Sequence, residues 1–113
     1  MHEIGVLKKA VDLCNQIAMD NDIDEIQAIN LEVGELSGYL PVFFEKYYPI
    51  VIEDYPRLKK SHVNCIVIKG QAVCDDCQTF YNVMKHKGIC PKCKSRNKKV
   101  ISGQDFRVKN IEY

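Results

Sequence analysis

The sequence predicts an α/β (α+β) fold. Two helices should pack on a three-stranded sheet, with a small four-cysteine subdomain inserted before the last strand. Three observations carry this expectation. Apolar residues recur with a helical period near the start and with a strand period around residue 30. Four of the six cysteines fall between positions 74 and 93. The charge divides near residue 70: residues 1–70 hold eleven acids against seven bases, residues 71–113 four acids against nine bases, and the whole nets +1. Such a shift marks two units, expected at 1–69 plus 104–113 and at 70–103.

The first helix is expected from Ile4 to Met19, where Ile4, Leu7, Ala10, Val11, Cys14, Ile17 and Ala18 fall on one face and Lys8, Lys9, Asp12 and Gln16 on the other. Asp20-Asn21-Asp22 ends it. In the stretch Ile26–Leu36, Ile29, Leu31 and Val33 alternate with Asn30 and Glu32, the pattern of a half-buried strand. Gly34 to Gly38 breaks that strand, and Pro41 suits the first turn of a second helix with Phe43, Phe44, Tyr47 and Tyr48 on its apolar face. Pro49 lacks a backbone donor and predicts a kink or break. Pro56 stops the helix, His62–Ile68 is a β-branched strand, and Gln104–Ile111 is read as the last one.

With 46% hydrophobic and 27% charged residues, the 113-residue chain has the composition of a folded globular protein. No apolar run approaches the ~18 residues that cross a bilayer, and the start lacks the basic and apolar regions of a secretory leader. A cytoplasmic location is the expectation, with no membrane partner.

In that compartment thiols stay reduced, so clustered cysteines point to metal. Cys74-Asp-Asp-Cys77 and Cys90-Pro-Lys-Cys93 are two Cys-x2-Cys knuckles, separated by 12 residues. Each tight turn aims two sulfurs at one point, and two turns complete a tetrahedron, as in a zinc ribbon. Residues 71–103 offer only nine sizeable apolar side chains, too few to order 33 residues without a structural metal. Iron in a rubredoxin-like site is the rival occupant, and disulfides or a redox Cys-x-x-Cys are weaker readings. All four cysteines are used in any metal site, which leaves no open position for catalysis. Cys14 and Cys65 sit on apolar patterns as small core residues. His62 and His86 are read as exposed rather than ligating.

The start, Met1-His2-Glu3, is a second chemical feature. Histidine at position 2 is too large for methionine removal, so Met1 should keep its α-amine. That amine, the His2 backbone nitrogen and the His2 imidazole can close two fused chelate rings on one ion. Tetragonal nitrogen ligation suits Ni(II) or Cu(II). The Glu3 amide, its carboxylate or a partner's atom would supply a fourth ligand. Taken alone, the residue type also fits an ordinary terminal side chain.

Together, Met1-His2-Glu3, the strand end Val33-Gly34-Glu35-Leu36 and the pattern Cys74-x2-Cys77-x12-Cys90-Pro-x-Cys93 resemble the HypA/HybF family of nickel metallochaperones in [NiFe]-hydrogenase maturation. The resemblance spans essentially the whole chain. It implies transient Ni(II) on His2 with the Met1 amine, Glu3 supporting that site or the docking of a partner, and structural Zn(II) on Cys74, Cys77, Cys90 and Cys93. It implies as partners a HypB-type GTPase, the hydrogenase large subunit and, in some organisms, urease maturation. The protein would be an escort rather than an enzyme, monomeric or homodimeric. Two positions depart from the family pattern, Gly5 where serine is frequent and Lys94 where glycine is common, and neither is a proposed ligand. The alternative is a zinc-ribbon module that binds nucleic acid or protein, motivated by Lys85, Lys87, Lys92, Lys94, Arg96, Lys98 and Lys99. Four thiolates and Zn²⁺ would lower the charge of this region, and only Phe80 and Tyr81 could stack on bases, so nucleic acid is not the expected partner.

Overall fold

A computed structural model describes residues 2–113, with side chains from Glu3 onward. The amphipathic run forms helix α1, His2–Asp20, and the alternating run forms strand β1, Ala28–Gly34. Helix α2 follows at Pro41–Val51, then two 3-10 turns, Ile52–Asp54 and Pro56–Leu58, and strand β2, His62–Ile68. Three short strands, β3 (Gln71–Cys74), β4 (Phe80–Asn82) and β5 (Lys98–Ser102), precede the last one, β6 (Phe106–Glu112).

The strands form two separate sheets. In the first, β1 is central, parallel to β2 and antiparallel to β6. In the second, β3 is central and antiparallel to both β4 and β5. The two-helix, three-stranded architecture with an inserted four-cysteine unit is therefore the one expected. The radius of gyration is 17.4 Å and the extents are 54 × 27 × 16 Å. A single compact body of this length would measure ~13 Å, so the two sheets lie end to end.

Both helices cover one face of the first sheet. Leu7, Val11, Cys14 and Ala18 of α1 and Phe44 and Tyr48 of α2 bury against Ile29, Leu31 and Val33 of β1. Ile4 and Ile17, placed on the apolar face by their spacing, are 38% and 39% exposed. They lie at the margins of the buried stripe. Tyr39, Phe44 and Phe106 close one end of the core, with ring centroids 5.0–5.9 Å apart. The opposite face is polar: Asn64 donates to Asn30, and Asn30 donates to Asn110 and Glu112.

Pro49 does not break α2 at its own position. The helix runs on to Val51 and only then tightens into a 3-10 turn. Pro49 and Glu45, whose carbonyl loses its i+4 donor, are both exposed, so water can take the place of the missing bond. Tyr55 donates to the Asp12 carboxylate and Arg57 Nε to the Ile23 carbonyl at 3.0 Å, which ties this turn region to α1 and the loop after it.

Candidate metal centres

The two knuckles are built alike. In the first, the Gln78 N–H donates to the Cys74 carbonyl at 2.9 Å and the Cys74 N–H to the Thr79 carbonyl at 2.9 Å. In the second, the Lys94 N–H donates to the Cys90 carbonyl at 3.0 Å and the Cys90 N–H to the Ser95 carbonyl at 2.9 Å. The residue after each second cysteine is left-handed, Gln78 with φ 64° and Lys94 with φ 66°. This is the turn that makes glycine common at that position, and it is the physical meaning of the departure at Lys94.

These turns bring Sγ of Cys74, Cys77, Cys90 and Cys93 within 4.8 Å of one another. Cys74–Cys93 and Cys77–Cys90 are each 3.5 Å apart. A tetrahedron with metal–sulfur bonds of ~2.3 Å has sulfur–sulfur edges of ~3.8 Å, so the four donors fit a zinc-sized ion with little adjustment. Cys74 and Cys90 are buried, Cys77 is half-buried and Cys93 is exposed.

The thiols are unequal. The Thr79 hydroxyl, 3.1 Å from Cys77 Sγ, is the main cause that brings Cys77 down to about 6 from an ordinary 9.0. Burial works against Cys90, but the backbone N–H groups of Cys93 and Lys92 hold it below the ordinary value. The Ser95 N–H favours the Cys93 thiolate, yet lost hydration at the sulfur and the neighbouring sulfurs outweigh it and push Cys93 up to about 12. Thiolates this close repel one another, so protons divide unevenly among them, and a central dication would release them all.

Thr79 was not singled out by the sequence reading, although a hydroxyl two residues after a ligating cysteine was a legible signal. Its counterpart Ser95 does otherwise: it donates to Asp76, which also accepts from Asn97 and so joins the two knuckles. Tyr81 is buried beneath the cluster and donates to the Gly88 carbonyl at 3.3 Å. His86 is half-buried, its ring edge-on to Tyr81 at 6.1 Å, and is not among the grouped metal donors. Of the two aromatics considered for base stacking, only Phe80 is exposed. Lys98 Nζ is turned onto the Gly88 and Arg96 carbonyls at 3.1 and 3.0 Å.

The nickel groups expected at the start, the Met1 amine and the His2 imidazole, lie outside the described residues. Glu3 is half-buried in the first turn of α1.

Residues 1–113, the whole chain, match the family described as hydrogenase/urease nickel incorporation, metallochaperone, HypA. The chain belongs to the HypA family. It is 30% identical over 112 residues to hydrogenase maturation factor HybF of Klebsiella pneumoniae, covering 99% of this chain and 98% of that one. It is 31% identical over 113 residues to hydrogenase maturation factor HypA of Desulfatibacillum aliphaticivorans, covering 99% and 86%. The fold matches a solution structure of the Ni metallochaperone HypA from Helicobacter pylori with a TM-score of 0.67 at 23% identity, over 97% of this chain and 95% of that one. A second solution structure, of a HypA protein, matches with a TM-score of 0.71 at 25% identity, over 99% and 95%. HypA proteins are metallochaperones of nickel incorporation into hydrogenase or urease, not enzymes. Among the described residues no helix is long and apolar enough to cross a membrane.

Proposed function

We propose that this chain carries Ni(II) as cargo on its first residues and delivers it to the large subunit of a [NiFe]-hydrogenase. The Met1 amine, the His2 backbone nitrogen and the His2 imidazole hold the ion, and Glu3 supports the site or the docking of a partner. The observation that carries this reading is the position of His2. It opens helix α1 in a chain whose entire length matches a nickel-incorporation family. The first N–H groups of a helix have no partner inside it, so the nitrogen at residue 2 can ligate a metal without the loss of a helical bond. A terminal, incompletely caged site suits an ion that is to be handed on.

Zn(II) on Cys74, Cys77, Cys90 and Cys93 is read as the resident structural ion, which would replace core packing in the smaller unit. A nickel unit, 1–69 plus 104–113, and a zinc unit, 70–103, belong to the same proposal, and the separation of the strands into two sheets supports that division. The GTPase partner, a part in urease maturation, a cytoplasmic setting and a monomeric or homodimeric state complete the proposal.

Nickel titration by calorimetry, on zinc-loaded protein with a free, untagged start, tests it. Binding is expected in the native chain and lost in His2→Ala. Equal affinity in the two would reject the reading.

A further inference from the structure

The two sheets meet where β1 ends, and the contact there is a built joint rather than a tether. Two crossings connect the sheets, residues 68–71 outward and 102–106 on the return. The segment after β1 is bonded to both: the Gly34 N–H donates to the Asp105 carbonyl at 2.8 Å, the Glu35 N–H to the Ile68 carbonyl at 2.9 Å, and the Leu36 N–H to the Gly103 carbonyl at 2.7 Å. Ser102 Oγ binds the crossings to each other by donating to the Lys69 carbonyl at 2.8 Å. Gly34, Gly70 and Gly103 are all buried here. A Cβ on Gly34 would overlap the Gly103 backbone, one on Gly103 (φ 84°) the Gly70 backbone, and one on Gly70 the Leu36 side chain.

Among the described residues, one carboxylate reaches across this joint. Glu35 Oε1 accepts the Gly70 N–H at 2.8 Å and Asn82 Nδ2 at 3.3 Å. Asn82 belongs to β4, in the middle of the cysteine-bearing unit. Its amide is oriented from the other side, because Asn82 Oδ1 accepts the Lys85 N–H at 2.8 Å. The next residue, Val83, donates its N–H to the Gly70 carbonyl at 2.8 Å. A side chain at the end of β1 thus grips both the first crossing and the second sheet.

We propose that Glu35 is a positioning residue whose carboxylate locks the cysteine-bearing sheet at one angle to the helix-backed sheet. The interlocked glycines set how closely the crossings approach, but bonds along two crossings still allow rotation about them. Through Asn82 the carboxylate supplies a third point of attachment, on β4 rather than on either crossing, and removes the rotation. Charge-assisted bonds of this kind are the stronger class. The lock is independent of whether nickel binds, so its failure and the failure of the nickel reading are separate results.

Residual dipolar couplings of backbone amides in the full, zinc-loaded chain test it. Amides of residues 4–33 and 71–102 should fit one alignment tensor in the native protein and in Glu35→Gln, whose side-chain oxygen still accepts both bonds. Glu35→Ala should require two tensors, and its Gly70 amide should exchange roughly tenfold faster. One shared tensor in Glu35→Ala with unchanged Gly70 protection would overturn the proposal, as would two tensors in the native chain. Should Glu35→Ala fail to fold, Glu35→Asp, one methylene short of both donors, replaces it with the same expected and overturning results.

Discussion

The two sheets have three strands each, but they are held by different physics. Among the described residues, the helix-backed sheet gathers thirteen buried residues into one core, from Leu7 to Leu58. The cysteine-bearing sheet gathers four, and two of them are Cys74 and Cys90 of the cluster itself. The larger unit excludes water from apolar surface. The smaller one has no such surface to spare, with Phe80, Met84 and Ile101 all more than half exposed. Size explains the difference, because a few dozen residues cannot enclose a core and need a staple.

Removal of the metal should separate the two units most sharply. Chelation, or Cys90→Ser, is expected to cost the smaller unit on the order of 10 kcal/mol. Amide signals of 71–102 should then collapse to a random-coil range while those of 4–33 keep their dispersion. Persistent protection of β3 in the metal-free protein would break the comparison.

The reverse experiment acts on the apolar core. Phe44→Ala removes a fully buried ring that meets Tyr39 and Phe106 and should cost about 3–5 kcal/mol in denaturant unfolding. The four-cysteine site should still hold its metal, as read by cobalt substitution spectra.

Alkaline pH offers a finer probe of the same core. Burial pushes the Cys14 thiol up from 9.0 to about 11. Below pH 9 both the folded and unfolded states keep that proton and its contribution to stability is complete. As pH rises through 11 the unfolded chain ionises first, so stability falls, by about 1–2 kcal/mol for this group. Cys14→Ala should be less stable at neutral pH yet show a shallower loss across that window, measured by urea midpoints.

The smallest effect should appear in the knuckles. Lys94 is left-handed at φ 66°, a conformation that costs an L-residue about 1–2 kcal/mol. Lys94→Gly should return about 0.5–1 kcal/mol after its added chain entropy and slow metal loss to a competing chelator. Gln78→Gly, at the equivalent turn, should behave the same way.

Much of this was legible in the sequence wherever function rests on short spacing. The Cys-x2-Cys pairs, the alternation of Ile29, Leu31 and Val33, and the apolar stripe of α1 are local patterns, and each became the expected element. The break expected at Pro49 is absent because its penalty depends on whether water reaches the orphaned carbonyl, which spacing does not encode. Thr79 went unread because a hydroxyl near a cysteine bonds sulfur only if the turn aims it there, and Ser95 shows the other outcome.

What the chain determined by itself was its list of local devices: two sulfur-bearing turns, a histidine at the second position, one amphipathic helix and one half-buried strand. Neighbouring residues settle those through backbone geometry and side-chain period alone. Only tertiary structure decided that Gly34, Gly70 and Gly103 interlock and that Glu35 reaches Asn82, 47 positions away. Contacts between distant positions arise from the shape the whole chain takes on folding, and no short stretch of sequence contains it.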